Sequence, residues 1–335
     1  MTQPSATAAT AASDAAPRAI DRAEVTVLLD NSIDVFLNDT DEVRRAKVPT
    51  DFPWGQRKAL IAEHGFSVMV TTYDGGRTRR LLFDAGMTVH GLSHNLDVLG
   101  LRPADFECVV ISHGHVDHTQ GLIGVIERQM ELGMDGWNVP IHLHPDAFRN
   151  RRSEMPDGTV RGMPPMDRGW LEARGVRFVE SRGPTLLLGG TVLATGEIAR
   201  TSDFERGFPV HKAEVDGEWQ PDPELHDDQA LVMNVRDKGL VVVTGCCHSG
   251  AVNTLRHAQR VTGVETVHAL LGGLHLTGKL FEPIIGPTVA ELKKIGPKCL
   301  LAGHCTGWKA SHTLANEMPD SYLPTSVGTT LVVGA

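Results

Sequence analysis

The chain has 335 residues, 41% hydrophobic and 5% aromatic, with 32 basic and 41 acidic side chains and a formal net charge of −9. That balance excludes a protein whose main work is gripping a nucleic-acid backbone, since such work needs a basic surface; a small anionic substrate held by local arginines is still allowed. No stretch approaches the 18 apolar residues of a membrane span, and five cysteines without a C-x-x-C pair argue against a disulfide framework and for a reducing, cytoplasmic setting.

The first twenty residues are rich in Ala, Thr and Ser and lack the basic start and apolar core of a secretory signal. Residues 1–20 therefore read as a disordered tail and 21–335 as one folded domain. Residues 24–37 read as a strand with a continuation. A hairpin is expected over 66–74 and 79–84, turning at Asp74-Gly75-Gly76. A short helix closes over Asn95 to Gly100. The buried run Cys108-Val109-Val110-Ile111 makes a strand at 107–111. A helix over 119–132 carries Leu122, Val125, Ile126 and Met130 at apolar positions and stops at Gly133. A strand at 139–143 precedes a Pro-, Gly- and Arg-rich stretch, 145–169, expected as loop or short helix. Strands follow at 176–180, 185–188, 191–195, 230–235 and 240–244. A helix at 250–262, a strand at 266–271, a helix at 285–295 and a strand at 299–302 complete the pattern. This is an α/β (α+β) chain with helices as outer layers. Residues 199–228 form the longest segment without periodicity. With Phe204, Phe208 and Trp219 in it, the segment reads as a lid or binding loop.

The strand at 107–111 runs straight into Ser112-His113-Gly114-His115-Val116-Asp117-His118, which packs three histidines and an aspartate into six positions. Imidazole suits zinc, iron and manganese, and the carboxylate adds charge. His248, His275 and His304 recur after later strands, each close to a glycine where the backbone can turn and present a side chain at a sheet edge. Together these are the metal-ligand candidates. Asp117 and His118 are also the catalytic candidates. No G-x-S-x-G, P-loop lysine or dinucleotide fingerprint occurs, so a metal-activated nucleophile is the best-supported chemistry.

The H-x-H-x-D-H spacing resembles the metallo-β-lactamase superfamily, over roughly residues 24 to 310. Within it the chain is most similar to the branch of dihydropterin–ribofuranosylaminobenzene 5'-phosphate synthase. The narrower match rests on Val27-Leu28-Leu29-Asp30-Asn31, Glu63-His64-Gly65-Phe66-Ser67, Leu82-Phe83-Asp84-Ala85-Gly86, Thr244-Gly245-Cys246-Cys247-His248-Ser249-Gly250, Gly272-Gly273-Leu274-His275 and Ala302-Gly303-His304-Cys305. The resemblance implies a four-layer αββα sandwich with a metal site at one edge, holding one or two zinc ions, with iron or manganese as alternatives. It places His113, His115 and His248 on one metal and Asp117 and His118 on the other. His275 is the expected partner of the second pair, with His304 the rival for that position. The chain departs from the superfamily where a bridging Asp is common: Cys246-Cys247-His248 stands there. Either a thiolate joins the metals, or both cysteines are packing residues and the second site is weaker.

The expected function is a hydrolase that uses metal-activated hydroxide on a small, aromatic or heterocyclic molecule. Hydrolytic dehalogenation of an activated chlorinated aromatic, the branch's synthase chemistry, and a non-catalytic metal-binding sensor are the alternatives. His64, Arg200, Asn234 and Trp54 are the candidate substrate contacts, with Phe204, Phe208 and Trp308 as ring-lining residues. Asp227 and Asp228 are read as orienting a ligand histidine. A small-molecule substrate, no nucleic acid and no membrane are the expected partners. A homodimer is expected through the strand bearing His142 and His144, which share one face if the strand is regular. The bland reading of that pair is an exposed polar face.

Overall fold

The computed structural model describes residues 16–47, 53, 55, 58–134 and 136–335. Trp54 and residues 1–15 of the expected tail lie outside the described residues. Two large sheets face each other. The first has eight strands in the spatial order Val43–Arg44, Thr330–Gly334, Arg22–Leu29, Ser67–Asp74, Arg77–Phe83, Cys108–Val110, Ile141–Leu143 and Phe178–Glu180. The second has six, in the order Thr185–Leu187, Val192–Ala194, Ala230–Val235, Gly239–Thr244, Val267–Gly273 and Cys299–Gly303. Each is antiparallel on one side and parallel on the other.

Side-chain alternation explains the layers. Along Arg22–Leu29, Ala23, Val25 and Val27 point between the sheets, where they meet Leu231, Val241, Ala269 and Leu301 of the second sheet. The parallel strands are buried on both faces and read as unbroken apolar runs, as in Leu240-Val241-Val242-Val243. Helices Gly91–Leu99 and Leu122–Glu131 cover the outside of the first sheet through Leu92, Leu96, Val125 and Ile126. Helices Ala251–Thr262, Ile285–Ile295 and Trp308–Glu317 cover the second through Leu255, Val289 and Leu314. The result is the expected four-layer αββα sandwich.

Three expectations need correction. The stretches 145–169 and 199–228 are not plain loops. They supply Arg151–Glu154, Val160–Met163, His211–Val215 and Glu218–Pro221, which pair into a third, antiparallel four-stranded sheet. The inward-facing residues on its central strands are Arg151, Ser153, His211 and Ala213, so no apolar alternation marked them. Pairing of His211 with Ser153 joins segments far apart in sequence. The C-terminal strand Thr330–Gly334 was also unread; it pairs with Arg22–Leu29, which ends well before residue 37.

The tail boundary is wrong as well. Ile20 is fully buried between the sheets, its N–H donates to Asn234 O at 2.9 Å, and Arg18 N donates to Gly190 O at 3.0 Å. The folded domain thus begins before residue 21. The third correction concerns His144. It sits just past Ile141–Leu143, is 1% exposed, caps the following turn through Asp146 N and pairs with Glu197 at 3.1 Å. A buried His144 cannot form a subunit contact. No helix among the described residues is long and apolar enough to cross a membrane.

Because Ile20 fills the inter-sheet core, Ile20→Ala should destabilise the domain by about 2–5 kcal/mol. Urea denaturation measures this; an unchanged midpoint would place Ile20 outside the cooperative core.

Candidate metal centre

The candidate ligands converge at the carboxyl ends of parallel strands. Cys108–Val110 leads to His113, His115, Asp117 and His118; Gly239–Thr244 leads to Cys246 and His248; Val267–Gly273 leads to His275; Cys299–Gly303 leads to His304. Several residues here hold positive φ despite carrying side chains: Asp84 (59°), Cys247 (63°), His275 (45°) and His304 (47°). Such strain persists where the surroundings over-determine it, and it concentrates at functional sites. Gly245 is also dictated by space, because a Cβ there would lie 2.2 Å from Ser112 Oγ and 2.9 Å from Asp84 Oδ2.

Two buried donor sets result. His113, His115 and His248 form the first, with ligand-type atoms all within 4.8 Å of one another. His248 Nε2 lies 3.2 Å from His115 Nδ1. Burial, then the neighbouring imidazoles, pushes all three well below the usual histidine range, leaving them neutral with free lone pairs. Asp117, His118, Cys246 and His304 form the second set. Cys246 Sγ is 3.2 Å from His118 Nε2 and 3.3 Å from His304 Nε2, and His304 Nε2 is 3.4 Å from Asp117 Oδ2. Burial opposes ionisation of Asp117, but His118 and His304 outweigh it and hold the carboxylate well below its ordinary range. His304, not His275, therefore stands with Asp117 and His118. His275 instead makes a third, less buried donor set with Cys246 and His248, and its ring packs against His248, with centroids 4.3 Å apart, and against Phe208 and Phe281. Cys246 occupies the place beside both sets where the expected bridging acid is missing.

The surrounding hydrogen bonds aim these rings. Asp84 is fully buried and accepts from Ser112 N at 2.7 Å, Ser112 Oγ at 2.7 Å and His118 Nδ1 at 2.6 Å. Ser112 Oγ donates to Asp84, so at 2.9 Å it accepts from His113 Nδ1. One carboxylate thus orients two rings, His118 directly and His113 through Ser112, and turns Nε2 of both toward the donor sets. Burial disfavours a charged His118, but Asp117 and Asp84 together push it up to about 9. His113 Nε2 is buried with no hydrogen-bond partner. A buried, unpartnered lone pair aimed into a cluster of like atoms is the signature of a cation site, and an N/O/S donor set suits a divalent transition metal. The residues present therefore fit the expected metals.

Other second-layer contacts were not legible in sequence. His211 Nε2 meets His115 Nε2 at 3.1 Å, and burial lowers His211 to about 4. Arg151, 1% exposed, grips Asp227 at 2.8 and 3.0 Å and Asp222 at 2.9 Å. Asp227 also accepts from Gly114 N at 2.8 Å, while Asp228 accepts from Ser249 N at 2.8 Å. These acids hold backbone beside the ligands rather than ligand rings, which corrects the expectation for the pair. Asp30 accepts from His304 N at 2.8 Å, and Asn31 Nδ2 donates to His304 O at 3.0 Å. The Asp30-Asn31 and Asp84 motifs were visible in sequence; their roles were not.

The substrate candidates divide. His64 stands at the mouth of a cleft of about 210 Å³, 63% exposed, with Nε2 3.9 Å from Asp117 Oδ2 and its ring stacked 5.3 Å from that of His304. Phe208 roofs the same cleft and stacks on His211 at 5.3 Å. Arg200 does not face the cleft: its guanidinium donates to His248 O at 3.0 Å and to Glu224 O. Asn234 pairs with Leu240 at the hairpin end of its strand, whereas Ala230 and Thr244 mark the end near the site. Trp308 is 76% exposed and stacks on His312, and Phe204 lines a neighbouring cavity.

A family profile described as the metallo-β-lactamase superfamily matches residues 62–169. A relative from Methanocaldococcus jannaschii, 7,8-dihydropterin-6-methyl-4-(β-D-ribofuranosyl)-aminobenzene-5'-phosphate synthase, is 29% identical over 274 residues, spanning 80% of this chain and 89% of that protein. The crystal structure of a metal-dependent hydrolase of the β-lactamase superfamily is 25% identical, with a TM-score of 0.68, covering 93% of this chain and 100% of that one. The metallo-β-lactamase fold protein YhfI from Bacillus subtilis, 13% identical with a TM-score of 0.50 and covering 93% of this chain and 100% of that one, shares the fold.

Two outcomes are expected from this geometry. Asp84→Asn removes the acceptor that orients both rings and should weaken metal binding about 10–100-fold, as read by competition with a chelating dye. His304→Ala should lose one metal equivalent by elemental analysis, while His275→Ala retains it; the reverse pattern would restore the original assignment of His275.

Proposed function

We propose that the chain, which shares the fold of a metal-dependent hydrolase of the β-lactamase superfamily and matches that superfamily's profile over residues 62–169, is a metal-dependent hydrolase of a small organic substrate. The observation that carries this reading is the pair of adjacent, buried donor sets opening into one cleft under Phe208. His113, His115 and His248 would hold one divalent ion, zinc being the best match; Asp117, His118 and His304, with Cys246, would hold a second. An ion held there supplies Lewis acidity and lowers the pKa of bound water from about 15.7 to about 7.

The chain's own residues do the rest. Asp84 orients His118 directly and His113 through Ser112, so that both rings turn Nε2 toward the site. Asp117 remains an acceptor at neutral pH, because His118 and His304 favour its ionised form. Exposed His64 faces it with Nε2 3.9 Å from Asp117 Oδ2, at the mouth of the cleft. Phe208 and Met163 supply the apolar wall of the cleft.

The 29% identical relative supports a second reading, synthase-type chemistry. That relative's product carries a phosphate, whereas the cleft here is lined by no lysine or arginine among the described residues. The lining thus favours hydrolysis of an uncharged substrate over recognition of a remote phosphate.

Chelation should abolish turnover on a panel of esters, lactones, phosphodiesters and chlorinated aromatics, and zinc or manganese should restore it on at least one class. Metal binding without turnover on any of them would favour a sensor and overturn the hydrolase reading.

A further inference from the structure

A second cavity, about 350 Å³ and the larger of the two, opens beside the cleft just described. Val116 lines both, and Met163 of the cleft is bonded to Pro164 of the second cavity. The two spaces therefore adjoin at Val116, the residue next to Asp117. The second cavity runs between helix Leu122–Glu131 and the segment 164–171. Its walls are Leu122, Ile123, Pro164, Pro165, Met166 and Trp170. Its polar lining is Thr119, Gln120, Glu127 and Asp167, with no cation. The nearby Arg168 guanidinium is committed elsewhere, bonded to Glu172 at 2.9 Å and Glu180 at 2.6 Å and lying over Phe148.

We propose that this groove is the specificity subsite of the enzyme, taking an uncharged alkyl or aryl limb of the substrate whose reacting group lies at the Asp117 end. The inference rests on the hydrolase reading and adds the substrate class to it. An apolar wall recovers free energy from each methylene removed from water. Two carboxylates and no cation make the groove hostile to a phosphate or carboxylate at the distal end of that limb. The small cleft holds only the reacting group, so selectivity is set where space remains. Pro164 and Pro165, directly after the third sheet's Met163, line one side of the subsite, so the stretch 145–169 expected as loop or short helix supplies part of its wall.

The test uses straight-chain alkanoates from acetate to octanoate as product mimics, titrated by ligand-detected NMR against the full-length protein, both metal-loaded and metal-stripped. Affinity should rise about fourfold per methylene in both forms. Metal should strengthen every member of the series by a common factor. Ile123→Trp fills the groove and should flatten the series beyond butanoate while leaving acetate unchanged. Trp170→Ala removes a wall and should shrink the increment per methylene without that blockage. A series with no length dependence, or with the same slope in the native protein and both variants, overturns the subsite. A length dependence that metal leaves unshifted keeps the subsite and counts against the metal reading instead.

Discussion

The site depends on one buried carboxylate. Asp84 stands at the end of Arg77–Phe83 in a left-handed conformation and is shielded completely from water. An isolated ion there would cost several kcal/mol. It is tolerated because a backbone N–H, a hydroxyl and an imidazole all donate to it. The consequence spreads outward. Ser112 is held in place, so His113 is oriented through the serine hydroxyl; His118 is oriented directly. Gly245 must stay a glycine because the Ser112–Asp84 pair occupies the space its Cβ would need. One charge at one strand end thus shapes contributions from three different strands.

A second buried ion network ties the third sheet to this centre. Arg151 lies inside, paired with Asp227 and Asp222, and Asp227 reaches across to Gly114 between the first two histidines. Removing one partner of such a network leaves an uncompensated charge, which costs more than the network gains over an apolar replacement. Its role is therefore positional. It fixes where the sheet carrying His211 and Met163 sits over the candidate metal donors, and so fixes the shape of the cleft.

The division of labour follows from rigidity. The sandwich edge offers ligands on strand ends held by parallel hydrogen-bond ladders, where small displacements are resisted. The added sheet and the Phe208 segment supply enclosure and an apolar side passage. The candidate metal donors and the walls that enclose them are thus carried by different parts of the molecule.

The sequence by itself determined the sandwich, because apolar runs at strand period and amphipathic helices depend on local spacing alone. It also determined the donor inventory, since H-x-H-x-D-H places four candidates within one loop. It did not decide between His275 and His304: both follow strands and lie within two residues of a glycine, and only the tertiary arrangement of the strand ends of Val267–Gly273 and Cys299–Gly303 sets which ring reaches Asp117. Nor did it reveal the third sheet, whose inward residues are an arginine, a serine, a histidine and a single alanine and whose pairing joins distant segments. Arg200 looked like a substrate contact because its charge was visible and its partners were backbone carbonyls, which no side-chain pattern announces. What tertiary structure alone decided was the direction of polar side chains, since these are satisfied by whichever donor or acceptor the fold brings near.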